Sequence, residues 1–515
     1  AGLLVLGLPM DAFLSALPLV ADPSVLLAIA VGAFIGLVFG AMPGLTFSLA
    51  LAVVLPMTFT MDLISAVGML LGTYIGGMTG GSVAAILIGI PGTPSAAATV
   101  LDGYPMARAG KAGLALGTAV VASVFGGLFS LVVMIVSVDF VARIAIKFGP
   151  AEIFALVLFG LSTICGLAER SLLRGVIAGV LGLLVMTIGL DPYAGVPRMT
   201  FGTTNFLQGV HLLVAMVGLF AVPQIIQTLA DWRSGREIRL NPGAVRAELP
   251  SLRQLRENFG LMCRSAAIGT GIGAIPGAGG PIASFIAYDQ ARRFSRNSEN
   301  YGKGELSGVV APETANNAVT GGTMIPLLSL GIPGDPATAI ILGGLLIHGL
   351  APGPLLFTQH KVEVYAIYLA ILVAYVMLLL FQYFGIRAFV HVLRVPQHIL
   401  AVIVSVLCVI GAFAIRNSFV DVYVMIGIGV LGYFLMRARI PVTPIILGLV
   451  LGPTLEGEFR TALILSDGSL NIFYQSMPAM LFFGLTVLII VFQFISSARM
   501  KPAVQKTENL DAGQT

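Results

Sequence analysis

Long apolar runs recur along this chain from Val25 to Ile495, and they limit the folds open to it more than any other feature. Many approach the length of about 20 residues that an α-helix needs to cross a hydrocarbon layer roughly 30 Å thick. Only 10% of the residues are charged, whereas soluble domains usually have about 25%. We therefore expect an all-α polytopic membrane protein with about 10–12 transmembrane segments.

Helix-breaking residues are frequent, and many lie inside the apolar runs. The chain has 62 glycines and 28 prolines. In lipid every backbone N–H and C=O must find a partner, so a broken helix is tolerated only where protein or a watery cavity surrounds it. Transporters place such breaks at their binding sites. The pattern therefore favours a transport protein.

Three short motifs occur twice in the same order, which predicts a duplicated fold. Gly40–Gly44 returns as Gly273–Gly277, Thr79–Ser82 as Thr320–Thr323, and Gly89–Pro94 as Gly331–Pro336. We divide the chain into an N-terminal segment (1–23), a first membrane repeat (24–230), a connector (231–257), a second membrane repeat (258–497) and a polar tail (498–515). Each repeat is expected to contain one broken helix and one helical hairpin, at 65–101 and 311–345.

The connector indicates how the repeats are oriented. It carries six arginines against four acidic residues, an excess typical of a cytoplasmic loop. Counting spans outward from it gives an odd number between the repeats, so we predict that the second repeat is inverted. The basic loop at 290–305 disagrees with this count. Either 259–289 is re-entrant or this loop is an exception to the charge rule.

The helix breaks predict a substrate site. Proline removes a backbone donor and glycine lets the chain leave the helix, so each break exposes a new helix N-terminus that attracts anions. Kinks or close-packing glycines are the alternative explanation. The candidate substrate-binding residues are Pro43, Gly44, Thr46, Gly92, Thr93, Ser95, Pro276, Gly277, Gly334 and Thr338.

A polar run at 313–322 interrupts an apolar region and predicts a coupling-ion site. Amide and hydroxyl oxygens at helical spacing can coordinate Na⁺ or bind a carboxylate, and ionisable groups inside a membrane are usually functional. The candidates are Asn316, Asn317, Thr320 and Asp335, with Na⁺ or H⁺ as the ion. An exposed polar loop is the alternative.

Several other functions find no support in the sequence. It contains no Walker A sequence, no His-Glu-x-x-His metal motif and no Gly-x-Ser-x-Gly nucleophile turn. Gly269–Gly273 superficially resembles a dinucleotide fingerprint, but no strand–helix alternation and no later ribose-binding acid support that function. The net charge of +4 is small for 515 residues. We expect no enzymatic activity, no cofactor beyond the coupling ion, no metal other than possible Na⁺, and no nucleic-acid partner.

Longer stretches resemble the TctA family, the large permease subunit of tripartite tricarboxylate transport systems. They are Gly40–Thr46, Gly72–Ser82, Leu101–Arg108, Pro312–Gly322, Gly331–Thr338 and Ile347–Leu355. The resemblance implies a multi-pass protein of the bacterial inner membrane with two partners, a small TctB-type membrane subunit and a periplasmic TctC-type solute-binding protein. It also implies import of citrate or other organic acids, driven by an ion gradient.

One departure from the family pattern affects the expected substrate. The first hairpin tip of many relatives has Asn-Thr-Pro-Gly-Glu, whereas this chain has Gly89–Thr93. The amide and the acid are missing, so dicarboxylates or aromatic carboxylates are open as well as citrate. A stand-alone ion-coupled carboxylate carrier, without a binding protein, is the alternative function. Paired hairpins in inverted repeats suggest, by analogy alone, an elevator-type movement.

Overall fold

The computed structural model describes residues 10–43, 45–167, 172–235, 248–392, 396–491 and 493–494. It is 81% helical, and the described residues form two compact units. The first contains residues 1–146 and 216–430, and the second contains 147–215 and 431–515. The predicted repeats at 24–230 and 258–497 are a different division, which stays a prediction.

The first unit contains most of the helices. They are α1 (Met10–Val20), α2 (Pro23–Ala41), α3 (Phe47–Met57), α4 (Leu63–Ile88), α5 (Ala97–Met106), α6 (Ala112–Ala145), most of α9 (Leu212–Arg233), α10 (Leu252–Gly273), α11 (Gly279–Arg293), α12 (Ser307–Leu330), α13 (Pro336–Ile347), α14 (Leu356–Gln359), α15 (Lys361–Val392), α16 (Gln397–Arg416) and most of α17 (Phe419–Arg437).

The second unit contains α7 (Pro150–Leu167), α8 (Leu172–Met186), α18 (Val442–Leu465), α19 (Ile472–Gln475) and α20 (Met477–Val491). It also has a short antiparallel pair, β1 (Gly189–Leu190) and β2 (Pro197–Arg198). Asp191 follows β1. The backbone N–H groups of Tyr193 and Ala194, and then the Arg460 guanidinium, hold the pKa of Asp191 below its usual range. This cluster ties the β1–β2 loop to α18.

Eight helical segments among the described residues are long and apolar enough to cross a membrane. They are Pro23–Ala41, Leu63–Ile88, Pro94–Ala145, Leu212–Arg233, Lys361–Gly385, His398–Arg416, Phe419–Arg437 and Val442–Leu465. Six shorter apolar helices accompany them. The prediction of an all-α polytopic membrane protein is confirmed. The number of spans and the inverted orientation of the repeats stay predictions.

Two stretches of the first unit have the same order of elements. In one, α2 is followed by a break, α3, α4, a turn and α5; in the other, α10 is followed by a break, α11, α12, a turn and α13. Both α4 and α12 end at a glycine in the left-handed region, Gly89 (φ +73°) and Gly331 (φ +70°). Glycine adopts this conformation without a Cβ penalty and commonly ends helices. The turns after α4 and α12 are called the first tip (residues 89–96) and the second tip (331–335).

Glycines let the helices of each stretch approach closely. A Cβ on any of six glycines would overlap the backbone of the facing helix: Gly32, Gly36 and Gly40 of α2, and Gly72, Gly76 and Gly80 of α4. Gly269 and Gly273 of α10 pack in the same way on α12. Small residues at this spacing are typical of close packing between membrane helices. The close packing buries α4 and α12, so their polar groups must find partners inside the protein.

Asp102 joins α5 to the loop between α11 and α12. Its side chain is fully buried. One carboxylate oxygen accepts from the Tyr288 hydroxyl at 2.8 Å, and the other accepts from the backbone N–H groups of Gly302, Gly304 and Glu305 at 2.8–2.9 Å. Four donors on one buried carboxylate satisfy its acceptor sites. This arrangement serves to hold the loop in place.

Replacing Asp102 with alanine is expected to destabilise the protein by more than about 2 kcal/mol, because four donors lose a buried, charged acceptor. Asp289→Ala is the matched control, since its carboxylate pairs with Arg293 where both side chains are more than half exposed. Exposed pairs contribute about 0–1 kcal/mol. The apparent unfolding temperature in detergent should fall by several degrees for Asp102→Ala only. Equal unfolding temperatures for the two variants would contradict the structural role of Asp102.

Candidate substrate and coupling-ion site

The first tip lies against the end of α2. The Gly92 N–H donates to the Gly81 carbonyl at 3.3 Å, and a Cβ on Gly92 would overlap the Gly40 carbonyl of α2. Thr93 follows and is 1% exposed; among the described residues, its buried hydroxyl has no hydrogen-bond partner. A buried polar atom without a partner is uncommon and calls for an explanation, such as a ligand or ion.

The second break lies against the second tip. Helix α10 ends at Gly273 and α11 begins at Gly279, with the buried Pro276 in the turn between them. The Gly277 N–H donates to the Gly334 carbonyl of the second tip at 2.7 Å. On its other side Gly334 faces the Thr323 side chain of α12. These contacts fix the start of α11 relative to the second tip.

The first tip and the start of α11 meet at Gly280. A Cβ on Gly280 would stand 2.8 Å from both the Ser95 Oγ of the first tip and the Asn316 Oδ1 of α12. The Asn316 Nδ2 donates to the Met78 carbonyl at 3.0 Å, whereas its Oδ1 is buried without a partner. The residue before α11, Ala278, supplies no side-chain cap. The first N–H groups of a helix have no partner within it and carry a partial positive charge.

Asp335 caps α13 and bonds to α4. Its Oδ1 accepts from the Thr338 N–H at 2.7 Å and from the Thr338 hydroxyl at 2.9 Å. Its Oδ2 accepts from the Tyr74 hydroxyl at 2.7 Å, and Tyr74 also lies 3.0 Å from the Thr323 hydroxyl. The Asp335 side chain is 5% exposed. The second tip therefore presents a buried carboxylate to α4 and α12.

A polar network connects α12 to α4, α5 and α6. The Asn317 Oδ1 accepts from the Thr79 hydroxyl at 2.7 Å, and its Nδ2 donates to the Ser123 hydroxyl at 2.8 Å. One turn earlier, the Glu313 carboxyl accepts from the hydroxyls of Thr99 and Ser123. All five side chains are buried. One turn later, Thr320 donates to the Asn317 carbonyl and contacts the Tyr375 hydroxyl of α15 at 2.7 Å.

The charges of the site are unbalanced. Two carboxyl groups, Glu313 and Asp335, are buried in it. None of the described side chains in the contacts above belongs to Lys, Arg or His. Burying an unpaired charge is expensive, and a bound proton or metal cation would reduce this cost. The start of α11 can instead receive an anion, because the N–H groups of its first two residues, Gly279 and Gly280, have no partner within the helix.

The candidate residues have different surroundings in the structure. The contacts of the two tips with the helix breaks include Gly92, Ser95, Gly277, Gly334 and Asn316. Thr93 lies in the first tip against Gly81 of α4, and Pro276 is buried in the second break. Pro43 is buried in the turn after α2, and Gly44 lies outside the described residues. Two hydroxyls are used locally: Thr46 accepts from the Leu49 N–H at 3.1 Å at the start of α3, and Thr338 forms a capping box with Asp335.

Three further residues belong to the site although the sequence patterns did not assign them a role there. Glu313 opens the polar run, and its spacing to Asn317 places both on one helical face, a signal that could have identified it. Tyr74 and Tyr375 contact the site from α4 and α15. Each lies in an apolar segment, so no local signal marks them.

A buried polar site between tips and a helix break, in a polytopic all-α membrane unit, defines a membrane transport protein. The chain belongs to the tripartite tricarboxylate transporter TctA family, whose model matches residues 26–447. The predicted resemblance is therefore confirmed. The chain is a permease component of a tripartite tricarboxylate transporter.

Two relatives come from Agrobacterium vitis. One is described as an uncharacterized 52.8 kDa protein in the TAR-I ttuC' 3' region; it is 35% identical over 471 residues, which are 92% of this chain and 93% of the relative. The other, an uncharacterized protein in the TAR-II ttuC' 3' region, is 34% identical over 233 residues, 45% of this chain and 96% of the relative. No solved structure shows a significant match.

Proposed function

We propose that this chain is the permease subunit of a binding-protein-dependent secondary transporter that imports organic carboxylate anions. The substrate is a tricarboxylate such as citrate, or a dicarboxylate or aromatic carboxylate. Its uptake is coupled to a Na⁺ or H⁺ gradient across the bacterial inner membrane. The partners are a small TctB-type membrane subunit and a periplasmic TctC-type binding protein. Family membership supports these partners.

This proposal rests on the contact between the first tip and the start of α11. A substrate carboxylate placed there accepts from the free N–H groups of α11 and from the hydroxyls of Thr93 and Ser95. The unpartnered Asn316 Oδ1 faces the same position. A carbonyl oxygen repels an anion but attracts a cation. Asn316 therefore supports a cation bound beside the substrate.

Electrostatics explain why an ion must accompany the substrate. A helix terminus contributes only about 0.3–2 kcal/mol to binding an anion, which is too little for a di- or trianion taken out of water. The ion is assigned to Asp335 and Asn316, while Asn317 and Thr320 hold α12 in place through their existing hydrogen bonds. Ion and substrate binding are then thermodynamically linked.

Contacts between the two stretches of the first unit support an elevator-type movement. Helix α13, behind the second tip, packs on α3 and α4, whereas the first tip packs on α11 and α12. Each stretch thus contacts the tip region of its counterpart, which favours a movement that the two stretches share. We propose that α2–α5 and α10–α13 move as one body with the substrate.

The test is uptake into proteoliposomes that contain the permease and its small subunit. Labelled citrate, a dicarboxylate and an aromatic carboxylate are offered with and without the binding protein, and with or without an inward Na⁺ or H⁺ gradient. We expect accumulation of at least one of them only when both the binding protein and a gradient are present. Full-rate uptake without the binding protein would instead establish the stand-alone carrier, and no accumulation of any carboxylate would refute the proposal.

A further inference from the structure

Three buried carboxyl groups in the first unit differ in the donors that surround them. Asp102 and Asp335 both accept from backbone N–H groups. Glu313, which is 0% exposed, accepts only from the hydroxyls of Thr99 and Ser123 among the described residues. A backbone N–H can only donate, so it suits an ionised carboxylate. A hydroxyl can donate or accept, so it can serve the ionised and the protonated forms equally.

The hydrogen bonds around Ser123 are compatible with both the ionised and the protonated form of the Glu313 carboxyl. The Ser123 oxygen accepts from the Asn317 Nδ2 at 2.8 Å, which leaves its own hydrogen to point at the Glu313 Oε2, 3.3 Å away. The Thr99 hydroxyl, which meets the Glu313 Oε1, can donate to it or accept from it. The ionised carboxylate can thus accept from both hydroxyls, and the protonated acid can donate to the Thr99 oxygen while it still accepts from Ser123.

No charged side chain compensates Glu313 among the described residues. No ion pair there includes it. Several titratable groups on the elements around α12 have other partners. These are Tyr74 with Asp335, Asp102 with Tyr288, Tyr375 with Thr320, His348 with the Gly344 and Thr58 carbonyls, Arg264 over the Phe294 ring, and Asp139 with Arg143. An isolated buried carboxylate is costly and tends to take up a proton.

We propose that Glu313 is a proton-carrying site of this transporter, a role that rests on the proposed carboxylate transport. The carboxylate takes one proton from one side of the membrane to form the neutral acid, and it releases that proton on the other side. Thr99 connects Glu313 to the substrate site, because Thr99 lies on α5, which directly follows the first tip. A change in the Glu313–Thr99 contact therefore acts on the tip that carries Thr93 and Ser95.

Infrared difference spectroscopy of the purified full-length permease tests the protonation directly and without substrate. Above neutral pH, exposed carboxyl groups are already ionised, so a carboxylic-acid C=O band that disappears on raising the pH reports a buried acid. We expect such a band in the natural protein and in Asp335→Asn, and its absence in Glu313→Gln. A band that persists unchanged in Glu313→Gln would overturn the assignment.

Ser123→Ala provides a second variant in case Glu313→Gln fails to fold. It removes one of the two hydroxyls that contact the Glu313 carboxyl but keeps the acid itself. The band should remain and move in frequency, because the C=O group loses a hydrogen bond. An unchanged frequency would contradict the assignment of the band to Glu313.

Transport of labelled citrate, or of whichever offered carboxylate is taken up, separates this inference from the proposed function. Glu313→Gln keeps the shape of the side chain but carries no titratable proton. We expect accumulation driven by a pH gradient to fall at least about fivefold, a typical coupling factor, while exchange at equal pH on both sides continues. Gradient-driven accumulation at the natural level would overturn the role of Glu313 and leave the proposed function intact. Failure of the natural protein to exchange any carboxylate would instead refute the proposed function.

Discussion

Replacing Gly280 with alanine is expected to reduce carboxylate transport more than about tenfold, because lost hydrogen bonds to a charged group cost about 1.5–3 kcal/mol each. The added Cβ would stand 2.8 Å from the Ser95 Oγ and from the Asn316 Oδ1, and 3.0 Å from the Ser95 Cβ. The first tip and α11 must then move apart, which separates the donors assigned to the substrate. Alanine favours the helix itself. This preference offsets part of the cost of about 1–3 kcal/mol that an added methyl group has in a packed interior, so the protein should still fold and the larger loss should appear in transport.

Gly271→Ala is the matched control for Gly280→Ala. Gly271 lies on α10, near the same break, and a Cβ there would meet no atom within 4 Å. Both variants are measured for uptake in proteoliposomes and for apparent unfolding temperature in detergent. Transport by Gly280→Ala at the level of Gly271→Ala, with both proteins folded, would show that the substrate does not lie between the first tip and α11.

Local chemistry was sufficient to predict the helix breaks and the tips. Pro276 cannot donate to the preceding turn, so α10 had to end before it, as it does at Gly273. Helices α4 and α12 end at Gly89 and Gly331, the first residues of the repeated tip motifs, because glycine allows a left-handed cap. The apolar runs likewise predicted a membrane protein, since their length suits a lipid bilayer and the chain has too few charged residues for a water-soluble surface.

The chemistry of individual hydroxyls was harder to predict, for two reasons. Thr46 and Thr338 have hydroxyls that could bind a substrate, but in the structure both hydroxyls form capping hydrogen bonds at the starts of their own helices. For Thr338, the Asp335-x-x-Thr338 spacing could have indicated this role. Tyr74 meets Asp335 across 261 positions of sequence. Such a contact depends on how the α4 and α12 stretches pack together, and no pattern within either stretch contains that information.

Replacing Asp335 with asparagine is expected to weaken the dependence of transport on the coupling cation. Asparagine caps a helix about as well as aspartate, so the Thr338 N–H keeps its acceptor and the second tip keeps its conformation. The Tyr74 hydroxyl can still donate to the amide oxygen or accept from the amide nitrogen. What the variant removes is the negative charge. The cation concentration for half-maximal uptake should therefore rise at least about tenfold, the effect of losing about 1.4 kcal/mol of binding.

Two controls separate the charge of Asp335 from its other contacts. Tyr74→Phe removes the hydroxyl that donates to Asp335 but keeps the ring that packs 6.1 Å from the Phe47 ring, so it should change the ion dependence less. Docking of the binding protein, measured by titration against the reconstituted complex, should be the same for all variants. A docking defect in Asp335→Asn would mean that the second tip had changed shape.

The two carboxyl groups of the site make the last test specific. If Asp335 binds Na⁺ and Glu313 carries the proton, Asp335→Asn should alter the response of uptake to Na⁺ while the response to pH persists. Glu313→Gln should do the reverse. The two sites lie on connected elements, because Asp335 bonds through Tyr74 to α4 and Asn317 bonds through Thr79 to the same helix. Asn317→Ala, which breaks the second connection, should therefore impair both responses. If Asp335→Asn and Asn317→Ala both transport at the wild-type rate and with the wild-type ion dependence, the coupling-ion site does not lie in this part of the protein.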